Sequence, residues 1–464
     1  MEITISSINV KLCCFLSLSL TSLIAGAGLS VETVKIIVGN QPSLSQSAED
    51  AIDDLDLLGF TLTEIYQGTK TETNYYGSDA QNLPIKPAYP FKALFKIAPI
   101  KQPSDANFYD LDGDNFPALT EQTALTMQWY YTSNTGVPVA FTPTNSDTFC
   151  NLTSANKVGP YLLTISGNLI LASRYGVPNT NEYPNETITL TPSKTYTILA
   201  DAGICYAQPN LIPNSSLYTG EQWSAKNGFL TQSDSHGETN FPRTAFYNAH
   251  FSLMLAKKGL VNNYNWEIKK GADLITILPQ KDNIVVTFNG SLASNTAAAR
   301  SLVVNSNGGY DVLITGTHNT SGAIIKYPFK VANWYSGWNG STAPNSAFAA
   351  RVSWNNVAAA CSALLPVGGY RLPYDDEASN AALGTGANPQ AFFTREISKM
   401  IFSEWGKIDA SSYPDTFGFN ANTARRFWVI NKANNDICDI HLYNQKYHCR
   451  DVNETKNAVC IATP

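Results

Sequence analysis

Charge is what this chain has least of. Asp, Glu, Lys and Arg make up 15% of its 464 residues, against about 25% in an ordinary soluble domain. Disorder driven by self-repulsion is excluded, because 44% of the residues are hydrophobic and the net charge is only −6. No run of like charge stands out, which argues against nucleic acid as a partner. Histidine is scarce as well. His236, His250, His318, His441 and His448 fall in neither a His-x-x-x-His nor a His-Glu-x-x-His spacing, so zinc hydrolysis lacks its ligands. Gly-x-Ser-x-Gly, a phosphate-cradling glycine loop and Cys-x-x-Cys are all absent, which leaves serine-hydrolase, nucleotide and thiol-exchange chemistry without a signature.

What is present begins with an apolar stretch. Lys11 precedes the run 12–24, which ends in Ala25-Gly26-Ala27, small residues of the kind a signal peptidase accepts. The run is shorter than the roughly 20 apolar residues of a membrane-spanning helix, and no later segment reaches that length without charge or proline. Residues 1–27 therefore read as a signal peptide, and the mature chain as exported, extracellular or on the outer cell surface, without a transmembrane segment. Cys13 and Cys14 lie inside the apolar run, which disfavours a lipid anchor. Six cysteines remain after cleavage: Cys150, Cys205, Cys361, Cys438, Cys449 and Cys460. An even number in an exported chain predicts three disulfides, and spacing alone leaves their connectivity open.

Beyond the signal the pattern is mainly β. One helix is expected over 47–59, capped by Ser47 and ended by Gly59, and residues 74–90 read as a long loop. Short strand-like runs follow at 91–97, 125–131, 160–165, 169–173, 187–190 and 196–199. A second series, at 274–278, 284–288, 301–304, 310–315 and 323–327, has the spacing of a small antiparallel sandwich. After a linker at 340–345, helices are expected at 352–365 and 391–405, then strands at 427–431, 437–443 and 458–461. That makes an α+β module.

The last stretch, 347–464, resembles a C-type-lectin-like domain of the kind found at the tips of bacterial invasins and intimins. The resemblance is carried by Cys361 in the first helix, Gly369-Tyr370-Arg371-Leu372-Pro373, Ser403-Glu404-Trp405-Gly406, Phe427-Trp428-Val429 and Ala458-Val459-Cys460. Upstream, 160–167, 173–178 and Asn240-Phe241-Pro242-Arg243-Thr244 are similar to an adhesion domain of enterobacterial surface proteins. The resemblance implies that Cys361 pairs with Cys460 and Cys438 with Cys449, and Cys150 and Cys205 are then left to each other. It also implies antiparallel β-sandwich (Ig-like) modules followed by the lectin-like domain, with boundaries at 28–142 for an N-terminal region of short helix, loop and strands, 143–270 for a β-rich adhesion domain, 271–346 for an Ig-like sandwich and 347–464 for the tip. The Glu-Pro-Asn or Gln-Pro-Asp triplet of sugar-binding relatives is missing from 347–464; Gln208-Pro209-Asn210 lies outside it and reads as a turn. The outer-membrane barrel of the family's long forms has no counterpart before the adhesion region.

Asp110-Leu111-Asp112-Gly113-Asp114 puts carboxylates at alternate positions, and Glu121 falls where an EF-hand-like loop has its last ligand. Calcium at Asp110, Asp112, Asp114 and Glu121 is therefore a candidate, weakened by Asn115 at the usual glycine and by Pro117. No other cofactor is implied. Asp375-Asp376-Glu377 reads as a solvated loop or helix start rather than an acid/base pair, and His441 and His448 as surface or packing residues. Trp334-Tyr335-Ser336-Gly337-Trp338 reads as an interdomain core, and Trp354, Trp405 and Trp428 as core of the last module. The functional expectation is an adhesin, not an enzyme, that binds a host-cell surface protein or glycan. The alternative is a calcium-independent carbohydrate-binding protein acting on cell-surface polysaccharide.

Overall fold

The alternation of apolar and polar residues becomes sheet along most of the described chain. A computed structural model describes residues 39–45, 56–66, 68–80, 83–104, 108–109, 118–212, 220–233, 236–341, 349–381, 393–419, 426–442, 446–449 and 453–464. The described chain is mainly antiparallel β-sheet, with short helices between strands. Among the described residues no helix is long and apolar enough to cross a membrane.

Buried apolar side chains gather in two cores. The first takes residues from Leu44 to Cys205. Its central strand, Val158–Ser166, shows the reason: Tyr161, Leu163 and Ile165 are wholly buried at every second position while the residues between them are half-exposed. That strand lies between Ser193–Leu199 and Thr126–Thr132, and Thr126–Thr132 pairs with Pro138–Phe141. A second sheet orders Thr180–Tyr183, Leu169–Ala172 and Ala118–Glu121, and a third orders Thr69–Tyr75, Phe60–Tyr66 and Phe95–Ile97.

The second core runs from Ile204 to Ile461. A six-stranded sheet orders Trp223–Ser224, Gly228–Leu230, Ile204–Gln208, His250–Leu255, Asn283–Thr287 and Thr276–Pro279. A three-stranded sheet of Tyr264–Lys270, Tyr310–His318 and Ile324–Val331 contributes Val312, Ile314, Tyr327 and Phe329 to the same core. The strand Asn333–Gly337 then runs parallel to Thr244–Phe246 and antiparallel to the terminal strand Val459–Ala462. Trp334 and Tyr335, on that strand, are buried between them. The last sheet orders Arg351–Ser353, Thr455–Asn457, Arg426–Ile430, Ile437–His441 and Lys446–Cys449. The expected boundary at 270/271 thus runs through one continuous sheet, and strand pairing from 333–337 to 459–462 spans the one at 346/347.

Several elements differ from expectation. Residues 301–304, expected as strand, end the helix Thr296–Val304, because the Asn295 side chain caps its first turn on Ala298 N at 3.1 Å and alanines follow. Of the helix expected over 391–405, the described part 393–405 is helical only at Ile401–Trp405, and 391–392 lie outside the described residues. Arg395 lies before it, buried, and Gly406 ends it with φ of 66°, where a Cβ would stand 2.4 Å from the Ile212 carbonyl oxygen. Arg351–Ser353 is strand and only Trp354–Ser362 is helical. No strand forms at 187–190, where Leu190 is 77% exposed. The expected loop 74–90 begins as strand and then packs Leu83, Ile85 and Ala88 into the first core, with Phe91 just beyond it. Most of the helix expected over 47–59 lies outside the described residues, and Leu57 and Leu58 at its end are buried and not helical.

Candidate binding groove

The strand Phe60–Tyr66 changes character along its length. Its first four residues are buried, and Glu64, Ile65 and Tyr66 emerge. Phe95–Ile97 pairs only with Phe60–Leu62, because residues 92–94 turn into a 3-10 helix. Beyond Leu62, Thr63–Ile65 has a strand on one side alone among the described residues, Thr69–Tyr75. A groove of about 440 Å³ opens at that edge. Leu62, Ile85, Phe91, Leu94 and Phe95 give it an apolar floor, and Glu64, Lys86, Tyr89, Glu221, Gln222 and Gln232 give it polar walls.

Its walls come from both cores. Lys86 Nζ donates to the Ile65 carbonyl at 2.9 Å, and burial lowers the Lys86 ammonium while Glu64 raises it. Gln232 Nε2 donates to the Tyr89 hydroxyl at 2.7 Å and to the Leu230 carbonyl at 2.7 Å, and burial pushes the Tyr89 hydroxyl up. Past the end of the groove Tyr66 stacks on His236 with ring centres 4.4 Å apart, and its hydroxyl donates to Glu238 at 2.8 Å.

These residues were not singled out from the sequence. A signal was present: Pro84, Pro87 and Pro90 recur every third residue, and Ile85, Ala88 and Phe91 are buried in that same rhythm, leaving Lys86 and Tyr89 for the groove. Of the calcium candidates, Asp110, Asp112 and Asp114 lie outside the described residues, and Glu121 ends the strand Ala118–Glu121 opposite Leu169. Among the described residues no group of three or more His, Cys, Asp or Glu is placed to hold a metal. Disulfides join Cys150 to Cys205, Cys361 to Cys460 and Cys438 to Cys449, with Cα separations of 6.0, 5.4 and 3.9 Å. Asp375 and Asp376 begin the short helix Asp375–Ala378, and Glu377 forms a two-pronged ion pair with Arg371 at 2.7 and 2.5 Å.

A wider opening of about 600 Å³ lies elsewhere along the junction of the two cores, lined by Asp201, Lys257, His318 and Ser321 among others. Ser321 Oγ lies 3.0 Å from His318 Nδ1. The same nitrogen accepts the Ser321 and Thr320 backbone N–H groups at 3.2 and 3.4 Å, so this lone pair is already committed to closing a turn.

No family model matches the chain, and no curated protein matches it. Among solved structures, the extracellular domain of protocadherin GammaB4 has 9% identity and a TM-score of 0.13, with 67% of this chain and 44% of that one covered. The zebrafish RET cadherin-like domains 1 to 4 have 10% identity and a TM-score of 0.12, with 72% and 65% covered. This chain thus spans less than half of the protocadherin's length, and likenesses at these scores carry no argument about its fold or function.

Proposed function

We propose that this chain is an exported adhesin that holds a host-cell surface protein or glycan through disulfide-braced β modules and a C-type-lectin-like tip. The observation that carries the reading is the edge of Thr63–Ile65, which has no strand beside it on the groove side among the described residues and only the Lys86 ammonium on its Ile65 carbonyl, above an apolar floor. An extended segment of a partner protein can lay its backbone along such an edge and seat alternate side chains in the groove. Support for the tip comes from the helix Trp354–Ser362, tied by Cys361 to the terminal strand Val459–Ala462, and from the Cys438–Cys449 clasp between neighbouring strands. Support for export comes from three disulfides in one chain, which persist in oxidising compartments. A calcium-independent glycan ligand is the second reading, favoured by an aromatic ring beside two amides and two carboxylates in the groove.

The test applies the purified full chain, with and without calcium, to animal cells and to a glycan array. Ile65→Arg, which fills the groove from an exposed position, is expected to reduce cell binding at least tenfold with unchanged thermal stability. Undiminished binding by this variant removes the groove from the reading, and wild-type silence on both cells and array overturns the adhesin itself. An array signal that persists without calcium, with no protein receptor captured, transfers the reading to the glycan.

A further inference from the structure

Three buried polar atoms that make no hydrogen bond belong to one pair of side chains: Asp439 Oδ1, Asp439 Oδ2 and Lys456 Nζ. Buried polar groups are almost always hydrogen-bonded, and enclosing opposite charges without such bonds carries a heavy desolvation cost. Both side chains are completely enclosed, and Lys456 Nζ stands 3.5 Å from Asp439 Oδ2. They come from Thr455–Asn457 and Ile437–His441, strands with Arg426–Ile430 between them. Asp439 lies directly across from Trp428 on that middle strand. Lys456 reaches over the same strand, its Nζ 4.0 Å from the centre of the Trp428 ring. The cage is fixed: Trp428 Nε1 donates to the Val352 carbonyl at 2.9 Å, and its ring meets Trp354 edge-on at 5.5 Å. Two further charged groups face the pair, Arg426 Nη1 at 3.5 Å from Asp439 Oδ1 and Glu454 Oε2 at 3.1 Å from Lys456 Nζ.

We propose that Lys456 and Asp439 are joined by an intramolecular amide in the mature protein. Lys456 Nζ attacks Asp439 Cγ; the new N–C bond forms, one C–O bond breaks, and the departing oxygen leaves as water with two of the three ammonium hydrogens. Glu454 Oε2, 3.1 Å from Nζ and open to solvent, takes a proton from the ammonium to free the amine for attack and gives it up again as the water departs. The balance needs no oxidant and no cofactor, and both buried charges disappear. Lys456 Nζ is held 3.5 Å from Asp439 Oδ2 in a fixed cage, so the two groups meet at a very high effective concentration, and enclosure keeps out the water that would reverse the step. The product is a strap across three strands of the last sheet that, unlike the neighbouring Cys438–Cys449 clasp, reduction cannot open.

Mass spectrometry of the full chain, reduced, alkylated and digested with trypsin, decides the matter. The expected result is a branched species that joins the Asp439 peptide to one uncleaved at Lys456, lighter by one water than the two together. Separate peptides at full mass, with cleavage after Lys456, overturn the proposal and leave a plain buried ion pair. Because the wild-type digest is decisive, the answer does not depend on any variant folding. Lys456→Arg keeps the cation and is expected to abolish the branched species. Glu454→Gln is expected to raise the unjoined fraction at least tenfold, and an unchanged fraction overturns the role given to Glu454. Neither outcome depends on what the groove binds.

Discussion

The two cores bury polarity differently. The buried polar side chains of the N-terminal core are, among the described residues, neutral: Thr61, Thr63, Thr153 and Ser173. Among the described residues, the C-terminal core encloses Arg395, Glu404, Asp409, Asp439 and Lys456. For Arg395, Glu404 and Asp409 the difference follows from the backbone, whereas Asp439 and Lys456 lie on regular strands. In the first core, regular ladders satisfy most main-chain donors and acceptors. In the second, residues 393–419 bury about half of their side chains with only one five-residue helix, Ile401–Trp405, among them, so side chains must satisfy many of the buried main-chain groups. Glu404 accepts from Arg243 N, Thr244 N, Thr244 Oγ1 and Ser398 N at 3.0, 2.7, 2.5 and 2.9 Å. Arg395 lies 4.0 Å over the Trp223 ring and donates to the carbonyls of Asn210, Ser403 and Glu404 at 2.8, 3.2 and 2.6 Å. This buried irregular segment uses ionisable side chains as crosspieces where a sheet uses its own peptide groups.

Removing an anchor from each core separately is the strongest way to break the comparison. Trp405 is wholly buried among Phe241, Phe246, Phe251 and Tyr413. Trp405→Ala is expected to cost about 3–5 kcal/mol. Leu163→Ala, in the first core, is expected to cost about 2–5 kcal/mol. Calorimetry should show each variant lowering a different transition; one transition moved equally by both refutes two separately cooperative cores.

A pH series tests one of these crosspieces, Glu404. Burial pushes the Glu404 carboxyl up to about 8, against the bonds from Thr244, Arg243 and Ser398 that lower it. The folded chain then holds a proton that the unfolded chain releases at about 4.3. That contribution to stability is complete below the unfolded value and is lost as pH rises toward 8. The C-terminal transition should therefore fall in temperature between about pH 5 and 8, and Glu404→Gln should flatten that slope. A slope unchanged in the variant assigns the pH dependence to another group.

The smallest effect is expected at the junction. Tyr66→Phe keeps the stack on His236 and loses the bond to Glu238, which should cost about 1 kcal/mol and widen the gap between the two transitions. An unchanged gap means that this contact does not couple the cores.

Legibility followed the length scale of the interaction. Strand 158–166 could be read because its burial repeats every second residue, and the helix Trp354–Ser362 because apolar residues and Cys361 share its inner face. The helix Thr296–Val304 was misread because Ser301 to Val304 alone look β-like, while the deciding cap, Asn295, stands six residues earlier. Residues 393–400 read as helix because nothing local announces that Arg395 will stack on Trp223, far away in the chain. The groove was hidden for the same reason, since Ile65, Lys86, Tyr89 and Gln232 meet only once both cores have formed.

The sequence by itself determined the predominance of β structure and an even cysteine set that a secretory leader would carry into an oxidising space, because alternation and composition are local properties. Only the tertiary structure decided that the strand Asn333–Gly337 should bind both Thr244–Phe246 and the chain's last strand, and that Phe95–Ile97 should stop pairing at Leu62 and leave Thr63–Ile65 with no strand on that side among the described residues. It alone enclosed Asp439 with Lys456. Pairing between strands depends on which edges meet after collapse, and no short stretch of sequence contains that information.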